Sequence, residues 1–214
     1  MVSAGRLNVV GYDPPSTRPK DPTVLTFAPN VLAARLPRHW VMTAALVAGF
    51  TGLTILSADF AIPVPGSPVP ITGQTFAVLL AGAALGSRHG ALSQGLYLGL
   101  GAFGFHVFAQ GRGGLATLLG SNVGYLLGFV VAAWVVGKLA ERRSVDRTFS
   151  TMVTAFLAGS LVIYACGVVG LMLVAKLSLT ESLTLGVYPF VVGDIIKATA
   201  AGVLLPSAWR LTGR

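Results

Sequence analysis

The sequence predicts an all-α integral membrane protein with six transmembrane helices and both termini in the cytoplasm. Three observations lead to this fold class. The 214 residues are 54% hydrophobic and only 10% charged, whereas an ordinary soluble domain has about 25% charged residues. Long apolar runs alternate with short polar, proline-rich or glycine-rich connections. The basic residues lie mainly in alternate connections, as expected when those connections share one side of a membrane.

The first 38 residues differ from the rest of the chain. They contain six prolines and five Arg or Lys residues, and they lack a long apolar stretch, so they do not resemble a signal peptide. We expect residues 1–38 to be a disordered, basic cytoplasmic tail. Residues 39–214 then form one six-helix transmembrane domain.

The first three predicted helices are separated by clear breaks. Helix 1 covers residues 41–58 and ends before a connection with four prolines, which cannot continue a helix. Helices 2 and 3 cover residues 71–86 and 91–105. Only Ser87-Arg88-His89-Gly90 separates them, which predicts a tight hairpin.

The second half of the chain supplies three more helices. A glycine-rich connection around Arg112 precedes helix 4, at residues 115–137, and a charged run closes that helix. Helix 5 covers residues 149–175 and helix 6 covers residues 185–205, with a polar connection between them. These three helices each reach the roughly 20 residues that a bilayer requires, whereas helix 2 is short for a span.

The net charge of +8 follows from this topology. With the amino terminus inside, 12 of the 15 Lys and Arg residues lie on the cytoplasmic side, which satisfies the positive-inside rule. The basic residues are therefore explained without nucleic acid, and no nucleic-acid partner is expected. The partners in contact with the helices are membrane lipids.

Helix 6 carries two ionisable residues within its apolar run. Asp194 and Lys197 are three residues apart and so lie on one helix face. Ionisable groups inside a membrane span are costly unless they are paired or face a cavity. Two interpretations remain open: a structural pair that neutralises itself, or a polar patch that hydrogen-bonds a ligand. We favour the ligand-binding patch.

Four other polar residues are candidates for the same site. Arg112 lies among glycines, whose backbone N–H groups and one guanidinium can hold a small anion. The alternative interpretation is that Arg112 is an ordinary solvated charge in a loop. Asn122, Tyr97 and Gln74 lie in predicted helices, where each can either line a pocket or bond a neighbouring helix.

Other chemistries lack their sequence signatures. The three histidines do not have the spacing of a zinc protease, and there is no Walker phosphate loop. We expect no metal and no cofactor, and any use of ATP requires a partner. No nucleophile with an adjacent base is evident, so the protein is not expected to be an enzyme.

Helix 1 has a face of small side chains. Ala44, Ala48 and Gly52 recur at four-residue spacing, which permits close helix contact. The neighbour can be another helix of this chain or a helix of another subunit.

A series of short motifs runs along residues 44–205. They are Val69-Pro70-Ile71-Thr72-Gly73-Gln74-Thr75, Leu79-Leu80-Ala81-Gly82, Leu85-Gly86, Gly111-Arg112-Gly113-Gly114-Leu115, Leu119-Gly120, Gly124-Tyr125-Leu126, Gly128-Phe129 and Gly193-Asp194-Ile195-Ile196-Lys197-Ala198. In this order the motifs resemble the BioY family, the biotin-binding S components of energy-coupling factor (ECF) transporters.

The resemblance implies a multi-pass protein of a prokaryotic cell membrane that captures biotin on its outer face. It also implies an ECF transmembrane coupling subunit and two ABC ATPases as partners, with Ala44 and Ala48 meeting the coupling subunit. ATP is used by those partners only.

By the same resemblance, Asp194 accepts hydrogen bonds from the ureido N–H groups of biotin. Lys197 donates to the ureido carbonyl or orients Asp194, and Arg112 matches the carboxylate. The alternatives are an S component for another small vitamin, or a self-sufficient carrier.

Overall fold

A computed structural model describes residues 30–36, 39–143 and 148–212, without the side chains of Arg143 and Thr212. The described chain is mostly helical, which confirms the all-α class. Its α-helices are α1 (Trp40–Asp59), α2 (Gln74–Ala102), α3 (Leu115–Leu118), α4 (Val123–Arg143), α5 (Phe149–Val174), α6 (Leu179–Gly186) and α7 (Tyr188–Thr212).

Helix α1 agrees closely with the predicted helix 1. It begins after His39, whose Nδ1 accepts a hydrogen bond from the Val41 N–H at 3.3 Å. After α1 the chain forms a short antiparallel hairpin of β1 (Ala61–Ile62) and β2 (Ile71–Thr72). The proline-rich connection therefore closes on itself before α2 begins.

The predicted hairpin of helices 2 and 3 is present within α2, but the chain turns at Gly86, and Ser87-Arg88-His89-Gly90, predicted as the connection, belong to the second arm. Gly86 has φ +82° and ψ 178°, a conformation that is essentially restricted to glycine. The Gln74 amide donates to the Tyr97 hydroxyl at 2.5 Å, although 23 residues in a straight helix would extend about 34 Å. The arms at residues 74–85 and 87–102 therefore run antiparallel.

A carboxylate from α4 holds the turn of this hairpin. Glu141 Oε1 accepts from the Ser87 N–H at 2.7 Å and from the Ser87 hydroxyl at 2.8 Å. Lys138 donates to the other oxygen of Glu141 at 3.0 Å. The first turn of the second arm thus has an N-terminal cap supplied by another helix.

The helices of the second half differ from the predicted bounds. Predicted helix 4 is broken into α3 and α4, with Asn122 just before α4. The polar connection after α5 contains α6, which a capping box of Ser178 and Glu181 starts. Helix α7 continues beyond the predicted end and contains Pro206.

Close backbone contacts join α2 to its neighbours. The most extensive packing in the described chain is between α2 and α4. A Cβ added at Gly82 would collide with the carbonyl of Ala133, and one added at Gly137 would collide with Gly86 and Ser87. Glycine is therefore needed where the hairpin meets α4.

Part of the predicted tail is ordered. Leu32–Arg35 form a 3-10 turn, and Val31 and Ala33 are buried against Leu85, Ala140 and Ala155. The prediction of a disordered tail does not hold for residues 30–36, because their apolar side chains pack on the ends of the helices. Residues 1–29 and 37–38 lie outside the described residues.

Within the part of the chain that the structure describes, four helices are long and apolar enough to cross a membrane: α1, α4, α5 and α7. The two arms of α2 are each shorter than the roughly 20 residues of a full span. The proline-rich connection before α2 and the glycine-rich connection before α4 meet at one end of the bundle. There they border a cavity.

Candidate binding site

The cavity and the open solvent at its mouth together make up about 660 Å³ of empty space. Its wall is mostly apolar, with polar side chains at a few points. It is lined by Val69, Pro70, Thr72, Gln74, Thr75, Phe108, Ala109, Arg112, Thr117, Asn122, Tyr125, Leu126, Phe129, Ile163, Tyr164, Phe190, Asp194 and Lys197.

A charged cluster from three helices lies in this wall. Asp194 is only 2% exposed, and its Oδ1 accepts from Lys197 Nζ at 3.0 Å and from the Thr75 hydroxyl at 3.2 Å. Its Oδ2 accepts from the Tyr164 hydroxyl at 2.6 Å. Lys197 Nζ also donates to the Thr75 hydroxyl at 2.7 Å.

The structure combines the two interpretations of Asp194 and Lys197. The residues do form an ion pair, and the same pair lines the cavity. Removal of one partner of a buried ion pair is costly. The intact pair, however, adds little stability compared with well-packed apolar residues at the same positions. A buried pair that borders open space is therefore better suited to binding than to holding the fold together.

Arg112 borders the cavity from a tight turn. The backbones of Phe108 and Arg112 pair in both directions, at 2.8 and 3.2 Å, and Gln110 and Gly111 have positive φ values between them. Arg112 Nε donates to the carbonyl of Ala109 at 3.2 Å. The side chain is exposed and anchored by one bond, so its terminal N–H groups can receive an anion.

Asn122 brings an unpartnered acceptor to the cavity. Its Oδ1 is buried and has no hydrogen-bond partner among residues 30–36, 39–143 and 148–212. The break between α3 and α4 places this side chain ahead of the first turn of α4. A ligand N–H can satisfy this oxygen.

Gln74 lines the cavity, whereas Tyr97 lies behind it. Tyr97 is fully buried, its hydroxyl accepts from the Gln74 amide, and its ring packs edge-on against Phe108 at 5.5 Å. Of the two roles predicted for Tyr97, lining a pocket or bonding a neighbouring helix, its position in the second arm of α2 matches the second, since it does not line the cavity. From there it fixes the orientation of Gln74.

Two residues of the cluster, Thr75 and Tyr164, were not predicted from the sequence. Thr75 ends the stretch Val69-Pro70-Ile71-Thr72-Gly73-Gln74-Thr75, but a threonine next to glutamine at a helix start suggests capping. Tyr164 lies in the long apolar run of α5, where an aromatic residue suggests packing. The hydroxyl group of Tyr164 within this apolar run was the only signal in the sequence for a polar role.

The small-residue face of helix 1 lies away from this site. Ala44 and Ala48 are exposed on α1 and do not line the cavity.

For metal binding, the described part of the chain contains no group of three His, Cys, Asp or Glu residues that could hold an ion.

The arrangement can bind a small polar molecule that has an apolar body. Asp194 accepts from N–H groups, Lys197 donates to a carbonyl, and Arg112 pairs with a carboxylate. The aromatic and aliphatic wall receives the apolar part.

The chain is similar to known proteins. The model of the BioY family matches residues 29–214. The biotin transporter BioY of Thermotoga maritima is 37% identical over 155 residues, which are 72% of this chain and 88% of that protein. The biotin transporter BioY of Rhizobium etli is 37% identical over 173 residues, which are 78% of this chain and 90% of that protein.

A solved structure is also similar. It is the crystal structure of the S-component for biotin from an ECF-type ABC transporter, with a TM-score of 0.73 and 28% sequence identity. The match covers 81% of this chain and 92% of that chain.

Proposed function

Because the chain belongs to the BioY family, we propose that it captures biotin in this cavity as the S component of an ECF-type transporter. Its relatives are named biotin transporters, and the similar solved structure is an S-component for biotin. Like the other members of its family, the protein is a transport subunit and not an enzyme.

The observation that carries this proposal is the Asp194–Lys197 pair at the cavity wall. The ureido ring of biotin has two N–H donors and a carbonyl acceptor. A carboxylate and an ammonium held 3.0 Å apart offer an acceptor and a donor side by side. Both are desolvated, so their bonds to a ligand are stronger than in water.

The remaining parts of biotin match other parts of the cavity. Phe129, Ile163 and Phe190 provide apolar wall for the thiophane ring and the valerate chain. Arg112 suits the carboxylate, because it is exposed at the cavity and makes one described hydrogen bond. Asn122 and Gln74 supply neutral polar groups along the wall.

The chain is a membrane protein, and we propose six passes with both termini in the cytoplasm. Four passes are α1, α4, α5 and α7, and the two arms of α2 supply the others. This topology places the cavity on the outer face of a prokaryotic plasma membrane. The positive-inside distribution of Arg and Lys supports it.

Delivery of biotin requires other subunits in this proposal. A transmembrane coupling subunit and two ABC ATPases use the ATP, and this chain needs no cofactor. The exposed face at Ala44 and Ala48 is the proposed contact with the coupling subunit, because small side chains admit a neighbouring helix closely.

The test is equilibrium binding of biotin to the purified chain, with Asp194→Asn as the variant. The substitution removes a charged acceptor, so we expect the affinity for biotin to fall by about 1.5–3 kcal/mol, or roughly 10- to 150-fold. Asp59→Asn is the matched control, because Asp59 is exposed and does not line the cavity.

Thiamine and riboflavin serve as competing ligands. Binding of either vitamin in place of biotin by the folded chain would contradict the assignment to biotin. Normal biotin binding by a destabilised Asp194→Asn variant would instead show that the pair is structural. Uptake of biotin into liposomes by this chain alone would favour a self-sufficient carrier.

A further inference from the structure

The Tyr164 hydroxyl limits what Asp194 can still bind. A carboxylate has about four lone-pair sites, two on each oxygen. Oδ1 already accepts from Lys197 and Thr75, and Oδ2 accepts from Tyr164. Three of the four sites are therefore occupied, and the carboxylate can accept one more hydrogen bond.

The ammonium of Lys197 is limited in the same way. It has three N–H donors, of which one points to Asp194 and one to Thr75. Within the described ranges, the third donor has no protein acceptor, and Lys197 lines the cavity. The pair thus offers a ligand one donor and one charged acceptor.

We propose that Tyr164 is a specificity-determining residue. Because of its hydroxyl, the Asp194–Lys197 pair binds a single edge of the ureido ring, which consists of one N–H and the carbonyl next to it. The inference rests on the proposed capture of biotin. One ureido N–H donates to Asp194, and the adjacent carbonyl accepts from Lys197. The second N–H meets neutral oxygens only, such as the unpartnered Oδ1 of Asn122.

This arrangement makes the two ureido nitrogens unequal in binding. A hydrogen bond to a charged group contributes more than a bond between neutral groups. A buried carboxylate that loses its ligand donor also keeps an unsatisfied lone pair, which adds to the loss. Removal of the N–H that faces Asp194 should therefore weaken binding more than removal of the other N–H.

The test uses two lactam analogues of biotin, each with one ureido nitrogen replaced by a methylene group. Each analogue keeps one N–H, the carbonyl and nearly the same shape. We expect one analogue to bind within about 10-fold of biotin, and the other to bind at least about 5-fold more weakly than the first. A smaller difference between their Kd values would overturn the proposal.

The variant Tyr164→Phe tests the residue itself. It keeps the ring but frees a lone pair on Asp194 Oδ2, so the carboxylate can accept both ureido N–H groups. We expect the ratio of the two Kd values to move toward 1. Tyr188→Phe is the control, because Tyr188 is exposed and does not line the cavity. An unchanged ratio in Tyr164→Phe would overturn its role.

The measurement separates this inference from the proposed function. If the folded chain does not bind biotin, both fail. If it binds biotin but treats the two lactams alike, only the single-edge inference fails. Should Tyr164→Phe not fold, Tyr164→Leu removes the same hydroxyl, and an unchanged ratio in that folded variant would overturn the role of Tyr164.

Discussion

Burial of Asp194 is possible because three side chains from three helices donate to it. Lys197 lies on the same helix, whereas Thr75 comes from α2 and Tyr164 from α5. Burial of a carboxylate is costly unless the carboxylate is paired and hydrogen-bonded. Each donor lowers that cost and also fixes the direction of the carboxylate, so the site is preorganised for a ligand N–H.

Arg112 allows a prediction about the other end of the ligand. Arg112→Ala should weaken binding of biotin by roughly 1.5–3 kcal/mol, because it removes a donor to the carboxylate. Binding of biotinol, which lacks the carboxylate, should change far less. Competition against labelled biotin measures both affinities.

The control for Arg112→Ala is Arg88→Ala. Arg88 is also exposed, but it lies beside the turn of the α2 hairpin, away from the cavity. Equal losses for biotin and biotinol in Arg112→Ala would remove Arg112 from the carboxylate role.

The residues of the site were predictable to different degrees from the sequence. Asp194 and Lys197 are three apart in an apolar run, so local helix geometry was enough to pair them. Thr75 and Tyr164 reach Asp194 across 119 and 30 residues of chain. Such contacts depend on how the helices pack, which no local pattern specifies.

Among the elements, the α2 hairpin depends most on one residue. Gly86→Ala should lower the free energy of unfolding by about 1–3 kcal/mol. Its Cβ would lie in a backbone conformation that favours glycine and 2.9 Å from Glu141 Oε1. Thermal unfolding of the full chain in detergent measures the loss.

Gly95→Ala is the matched control for Gly86→Ala. Gly95 is in the second arm of the same hairpin, and a Cβ there meets nothing within 4 Å. Alanine favours helix over glycine, so this variant should be as stable as the unsubstituted chain or more stable. Equal melting temperatures for the two variants would contradict the strain at Gly86.

The sequence predicted the long helices better than the short ones. A run such as that of α1 or α5 is visible over some twenty residues. The 3-10 turn at Leu32–Arg35 has too few residues to show a period, and its burial depends on α2, α4 and α5. The capping box of Ser178 and Glu181 was a readable signal for α6 that our prediction did not use.

For the whole molecule, the proposed topology predicts opposite accessibility at two exposed sites. His106 lies in the connection after α2, and Arg88 lies at its hairpin turn. In a Cys166→Ser background, His106→Cys should react with a membrane-impermeant maleimide on intact cells. Arg88→Cys should react only after the cells are opened. The reverse pattern would contradict an outward-facing cavity.

The charges around the cavity also determine how the membrane potential acts on it. Asp194 and Lys197 sum to zero, so Arg112 leaves the empty cavity with one positive charge. A ligand with one carboxylate neutralises it. A potential of 100 mV acts with about 2.3 kcal/mol on each elementary charge that crosses the membrane. If transport displaces the cavity along the membrane normal, we expect the loaded cavity to move without net charge and the empty cavity to carry one positive charge through the potential.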